Sequence, residues 1–159
     1  MKRFHVHLHV QDLARSIDFY SQLFNARPAG IEVDYAKWML DDPAVNFAIS
    51  TRDNASGVDH LGIQTEGAED LAELKVRAEA AGMTLRDEGN TTCCYARSEK
   101  HWVTDLQDID WEYFNTLESI PVFRETLDSA GASPACYTPL PHPARACCAS
   151  ADRTSPTCC

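Results

Sequence analysis

Between residues 3 and 10 apolar and polar side chains alternate without interruption, the period-two pattern of a strand whose faces meet different surroundings. Phe4, Val6, Leu8 and Val10 make the apolar face, and His5, His7 and His9 the other. Asp12 stands where an N-cap is needed for a helix over residues 13–24, in which Leu13, Ile17, Tyr20 and Phe24 recur at helical spacing and Asn25 can end the run. That stripe is expected to pack on the apolar face of the strand. Two extended runs follow, 33–40 and 45–51, joined by Asp41-Asp42-Pro43-Ala44, whose Asp and Pro are turn chemistry.

After a small, polar break at Asn54-Ala55-Ser56-Gly57 the same order begins again. Residues 58–64 predict a strand carrying His60. Residues 67–81 predict a helix with Glu69 and Asp70 in its first turn, Lys75 and Arg77 further along and Gly82 to close it. Extended stretches over 85–96, with irregularities, 101–105 and 109–116 complete the unit. Strand, helix and several strands thus occur twice, with a period of about 55 residues when His5 and His60 are equivalents. The expected fold class is α+β, one strand–helix–strands unit duplicated at about 1–54 and 57–118 and followed by a Pro- and Cys-rich tail over 119–159.

Composition narrows the possibilities. The 159 residues suit one domain with a sizeable core. A formal net charge of -10 argues against nucleic acid and against an anionic membrane surface. The alternating N-terminal segment lacks the apolar core of a secretory signal, and no apolar run reaches membrane-spanning length, so a cytoplasmic protein is expected. In that compartment its seven cysteines are thiols or metal ligands before they are disulfides. The tail holds six of the eight prolines and five of the cysteines, Cys136, Cys147, Cys148, Cys158 and Cys159, so no packed core is expected there. It is either a biased flexible tail or an arm that captures soft ions.

Two constellations could carry chemistry. Cys93 and Cys94 are adjacent; residues joined by a trans peptide have Cα atoms about 3.8 Å apart, below the usual disulfide range, so the two suit a pair of thiols better than a mutual disulfide. Two thiolates offered to one atom favour zinc, cadmium or trivalent arsenic, whereas the bland alternative is two small buried hydrophobes. The second set is His5, His60 and Glu112, two imidazoles and a carboxylate that would leave coordination positions open, as in non-haem Fe(II) enzymes. A zinc site on His5, His7 and His9 is the local alternative, but alternate strand positions lie about 6.6–7 Å apart and converge awkwardly in threes. His7 and His9 are therefore expected to line or support the pocket, the alternative being a hydrogen-bonded polar face, which is the preferred reading for His9. Packing suffices for His101 and Trp102, expected on a strand beside it.

The stretch His5-Val6-His7-Leu8-His9-Val10-Gln11-Asp12-Leu13, with Ser16 to Phe24 after it, resembles the opening module of the vicinal oxygen chelate superfamily, as do Asp59-His60-Leu61-Gly62-Ile63 and Asp110-Trp111-Glu112-Tyr113-Phe114 in the second half. The resemblance covers about residues 1–117. It implies paired βαβββ modules forming a curved mixed sheet around a metal held by His5, His60 and Glu112. Thr91-Thr92-Cys93-Cys94-Tyr95-Ala96-Arg97, followed by Glu99 to Asp105, is similar to the organoarsenical carbon-arsenic lyases and the related cadmium-induced proteins. Where the subfamily usually has an Asp-Pro-Asp-Gly turn before the glutamate strand, this chain has Asp105-Leu106-Gln107-Asp108-Ile109-Asp110. No Asp or Glu lies in the last strand of the first module, where a glyoxalase-type isomerase would be expected to add a carboxylate. What the resemblance implies is an Fe(II)-dependent dioxygenase that cleaves the carbon-arsenic bond of trivalent organoarsenicals with dioxygen, Cys93 and Cys94 binding the arsenic. The alternatives are a cadmium- or arsenic-binding sequestration protein without turnover, and an enzyme of the superfamily acting on an unrelated substrate. Modules paired within one chain or swapped in a homodimer are both left open.

Overall fold

The computed structural model describes residues 1–119 apart from Asn54 and Cys94. The tail cysteines and Cys94 lie outside the described residues. The elements are β1 (Arg3–His9), α1 (Leu13–Leu23), β2 (Gly30–Glu32), β3 (Tyr35–Asp41), β4 (Ala44–Ser50), β5 (Gly57–Thr65), α2 (Ala68–Ala80), β6 (Leu85–Cys93), β7 (Ala96–Thr104) and β8 (Asp110–Ser119). This is βαβββ twice over. Among the described residues no helix is long and apolar enough to cross a membrane.

Local chemistry accounts for the helix ends. Asp12 accepts a hydrogen bond from the Arg15 backbone N–H at 3.0 Å, satisfying one of the donors orphaned at the start of α1. Gly82, at φ +70, adopts the left-handed conformation that ends α2. The α1 stripe of Leu13, Ile17, Tyr20 and Phe24 packs on a buried cluster of Ala36, Trp38, Phe47 and Ile49, with Val6, Leu8 and Val10 beside it. Its main floor is therefore β3 and β4 rather than β1 alone, and Phe4 lies outside, against Trp111. Complete burial of Ile49 contributes roughly 1.5–3 kcal/mol.

The strands form one mixed sheet in the order β2-β3-β4-β1-β5-β8-β7-β6. Each module runs its first strand parallel to its last, β1 with β4 and β5 with β8, and β1 meets β5 antiparallel at the module junction. The modules thus pair within one chain. A flat sheet of eight strands would put β2 and β6 roughly 34 Å apart at about 4.8 Å per step. Instead Tyr95, in the β6–β7 turn, hydrogen-bonds Asp34, in the β2–β3 turn, at 3.0 Å. The sheet is curled, and its concave face encloses His5, His7 and His60.

Two expectations are corrected. The stretch 85–96 is not one irregular strand: β6 ends at Cys93 and β7 starts at Ala96, so Cys93 stands at a hairpin turn. The chain reverses there without Gly or Pro because Tyr95 takes φ +61. The edge strand β2 was also unpredicted, being three residues without alternation.

Gly62 fixes the approach of β5 to β8. Paired with Glu112, it leaves no room for a Cβ, which would sit 2.3 Å from the Glu112 carbonyl oxygen. Gly62→Ala is expected to force the strands apart and cost about 1–3 kcal/mol, lowering the thermal midpoint and weakening metal binding. Wild-type melting and metal affinity in this variant would contradict so close an approach.

Candidate metal centre and thiol pocket

His5 on β1, His60 on β5 and Glu112 on β8 converge where the two modules meet. His5 Nε2 lies 3.1 Å from His60 Nε2, and Glu112 Oε2 lies 3.7 Å from His5 Nε2 and 3.4 Å from His60 Nε2. All three side chains are buried. Donors about 2.1 Å from a common ion would be roughly 3.0 Å apart in octahedral and roughly 3.4 Å apart in tetrahedral geometry. The observed 3.1–3.7 Å includes the tetrahedral spacing and begins just above the octahedral one.

The surroundings orient these donors. His5 Nδ1 is 3.0 Å from the Asn46 carbonyl oxygen, which can only accept, so the proton is on Nδ1 and the Nε2 lone pair faces inward. His60 Nδ1 donates to Asp59 Oδ2 at 2.6 Å. Neighbouring strand residues normally point to opposite faces. Here the β1–β5 register slips, His7 pairing with His60 and Leu8 with Val58, so Asp59 is the extra residue of a β-bulge. Asp59 also lies 3.2 Å from His7 Nδ1 and 3.0 Å from His9 Nε2, while Ser50 Oγ sits 3.0 Å from His7 Nε2 and 3.1 Å from His9 Nδ1. Lys100, buried in β7, donates to Glu112 Oε1 at 2.5 Å and leaves Oε2 toward the imidazoles. Asp105 shapes the preceding loop by accepting from the Gln107 and Ile109 backbone N–H groups and from Trp111 Nε1. Asp108, at φ +63, takes the left-handed position there, which Asp tolerates.

Electrostatics make the centre a cation site. Burial, helped by the charge of His60, pulls His5 down to about 3 and keeps it neutral. Burial likewise lowers His7 to about 4, against the opposing bond to Asp59. Burial alone would raise Glu112, but the Lys100 charge and the His60 hydrogen bond hold it well below the usual carboxylate range. Asp59 is lowered too, its bonds to His60 and His7 overcoming burial. Burial would also lower His60, yet its hydrogen bonds to Asp59 and Glu112 raise it to about 9. Without a metal, a proton on His60 separates what are otherwise two lone pairs and a carboxylate. A divalent ion satisfies the same deficit, so the donor set fits a metal.

The cavity beside the centre measures about 40 Å³, space for about three water-sized occupants. Tyr35, Asn46, Ala48, Cys93, Lys100 and Phe114 are among its walls. Asn46 Oδ1 is a buried acceptor with no hydrogen-bond partner among the described residues, available to an O–H in the cavity. Ala48 pairs with His7 as Glu112 pairs with Gly62, 55 residues later than His7. It occupies the first module's counterpart of the Glu112 position, and its methyl group leaves that side without a ligand.

His5, His60 and Glu112 are therefore brought together as the spacing suggested, and Cys93 lines the same cavity. In this structure Cys93 is disulfide-bonded rather than a thiol, so binding through its sulfur requires reduction first. Its partner is not among the described residues, which contain no other cysteine. Cys94 lies outside them as well. His7 and His9 support the centre through Asp59, whereas His101 faces away from it, buried near the Leu71 carbonyl of α2. Asp59, Asn46 and Lys100 were not foreseen; only the adjacency of Asp59 to His60 offered a signal.

A metal at His60 Nε2 must displace the proton held there in the metal-free protein. Apparent affinity for Co(II) should therefore rise by close to tenfold per pH unit between about 6.5 and 8.5 and level off near 9. A pH-independent affinity over that range in anaerobic titrations would contradict this competition.

The family model described as Glyoxalase/Bleomycin resistance protein/Dioxygenase superfamily matches residues 2–113. The chain is 39% identical to a trivalent organoarsenical cleaving enzyme of Bacillus sp. (strain MD1), with 100% of this chain and 99% of that one covered. It is 33% identical to the cadmium-induced protein CadI of Mycobacterium bovis (strain ATCC BAA-935 / AF2122/97), covering 77% of this chain and 82% of the relative. Among solved structures, the Mn(II)-bound glyoxalase from Novosphingobium aromaticivorans superposes with a TM-score of 0.54 at 16% identity, over 80% of this chain and 43% of that one, a likeness of fold. Sequence, fold and donor set agree: the chain belongs to the glyoxalase/bleomycin resistance/dioxygenase superfamily, and within it to the group that includes trivalent organoarsenical cleaving enzymes and cadmium-induced proteins.

Proposed function

We propose that this protein cleaves the carbon-arsenic bond of trivalent organoarsenicals such as methylarsenite, with Fe(II) held by His5, His60 and Glu112 and with dioxygen as co-substrate. The observation that carries the reading is that Cys93 lines the cavity onto which the three donors converge. The relatives named as trivalent organoarsenical cleaving enzymes support it.

In reduced protein, the thiols of Cys93 and Cys94 displace the two hydroxyls of methylarsenite as two waters, leaving arsenic on two sulfurs with its methyl group in the pocket. Holding the arsenical beside the donors replaces a chance encounter with a positioned one. Lys100 keeps Glu112 ionised and single-ended, Asp59 and the Asn46 carbonyl fix the two imidazoles, and Phe114 and Ala48 give the cavity apolar walls. Iron bound there supplies the activation of dioxygen. Overall, methylarsenite plus dioxygen balances as arsenite plus formaldehyde: the carbon loses four electrons, dioxygen accepts them, and no other reductant is consumed.

The second reading, sequestration without turnover, draws on the cadmium-induced relatives. It predicts an arsenical retained unchanged at fixed stoichiometry. Cys93→Ser and Cys94→Ser separate the thiols from the rest of the site. Each is expected to lower arsenite formation by roughly a hundredfold or more, the scale of a lost positioning contact, with Fe(II) binding intact. Wild-type turnover in both variants would remove the cysteines from the reaction.

A further inference from the structure

The cysteine turn is held in place from the opposite end of the sheet. Tyr95, the residue after Cys94, donates its hydroxyl to Asp34 Oδ1 at 3.0 Å. Arg52, just past β4, grips the same carboxylate from the side: Nε donates to Oδ2 at 2.8 Å and a terminal nitrogen to Oδ1 at 3.0 Å. The Arg52 guanidinium lies 5.6 Å from the ring centres of both Tyr35 and Tyr95, and those rings are 5.9 Å apart. Asp34, Tyr35 and Arg52 belong to the first module and Tyr95 to the second. In strand order β2 and β6 are the two edges of the sheet, yet the turns next to them are locked together.

Backbone geometry adds an independent observation. Tyr95 sits at φ +61 in a two-residue turn, where glycine or asparagine would be relaxed and a bulky aromatic is strained. The turn alone does not favour tyrosine. Its hydroxyl and ring are what engage Asp34, Arg52 and Tyr35.

We propose that Tyr95, Asp34 and Arg52 form an inter-module clamp that holds the β6–β7 turn, and with it Cys93, beside the metal centre, making Tyr95 a positioning residue for the Cys93 thiol. The proposal rests on the proposed function for its substrate, but not for its geometry. The first module would then do more than supply His5: through Asp34 it fixes the distance between Cys93 and the donors on β1, β5 and β8. Loss of the clamp should weaken capture of the arsenical while leaving the donor set untouched, since none of the three clamp residues bonds a donor.

The test uses reduced, full-length protein. Tyr95→Phe deletes only the hydroxyl, and Asp34→Ala removes its acceptor. Each variant is expected to raise KM for methylarsenite roughly tenfold or more, the effect of losing a hydrogen bond to a charged group, with a wild-type Co(II) absorption spectrum and Co(II) affinity. The double variant should be no worse than Asp34→Ala alone. A wild-type KM in Tyr95→Phe, or effects that multiply in the double variant, would overturn the clamp. A second readout is independent of arsenic: alkylation of Cys93 by iodoacetamide, followed by peptide mass spectrometry, should be severalfold faster in Tyr95→Phe because the turn is released. Equal rates would overturn the clamp whatever the substrate, whereas failure of the wild-type protein to bind methylarsenite would overturn the proposed function and leave the alkylation result to decide the clamp.

Discussion

Two imidazole lone pairs and a carboxylate, gathered within 3.7 Å of one another and buried, need a positive charge between them. Much of the surrounding structure serves that constraint. The Asn46 carbonyl and Asp59 dictate which nitrogen of each histidine carries its proton. Lys100 occupies one oxygen of Glu112 and directs the other inward. Partners of this kind fix the orientation and basicity of metal ligands, and losing one typically costs ten- to hundredfold in affinity.

The duplicated βαβββ unit explains how so few residues build the centre. Antiparallel contact between β1 and β5 brings His5 of one module against His60 of the other, and the parallel pairing of β5 with β8 delivers Glu112 beside Gly62. Symmetry is broken at two places. At the counterpart of Glu112 the first module has Ala48, which leaves three donors and open space. At the end of β6 the second module has Cys93, which lines that space.

The fold was legible because strict alternation over residues 3–10 and the helical stripe from Leu13 to Phe24 are periodic signals that tertiary context did not override. His5 and His60 were expected together because they hold equivalent places in the two modules, whereas Glu112 has no counterpart in the first and was chosen by its place in the last strand of the second. Asp59 was not, because a bulge changes which face a strand residue joins and leaves no mark in the pattern. Lys100 reads as a solvent-facing strand residue until its ion pair with Glu112 is seen, and its burial follows from that pairing. The cysteine hairpin was missed because its turn uses Tyr95 at a left-handed position instead of glycine. The contacts that hold Tyr95 there come from Asp34 and Tyr35, about sixty residues away in sequence.

The most direct measurement is dioxygen uptake and arsenite production followed together in reduced, Fe(II)-loaded protein given methylarsenite. Carbon-arsenic cleavage by a dioxygenase predicts many turnovers, with one dioxygen consumed and one formaldehyde formed for each arsenite, and no arsenite under anaerobic conditions. Methylarsenite bound and unchanged, or arsenite formed without dioxygen uptake, would contradict it.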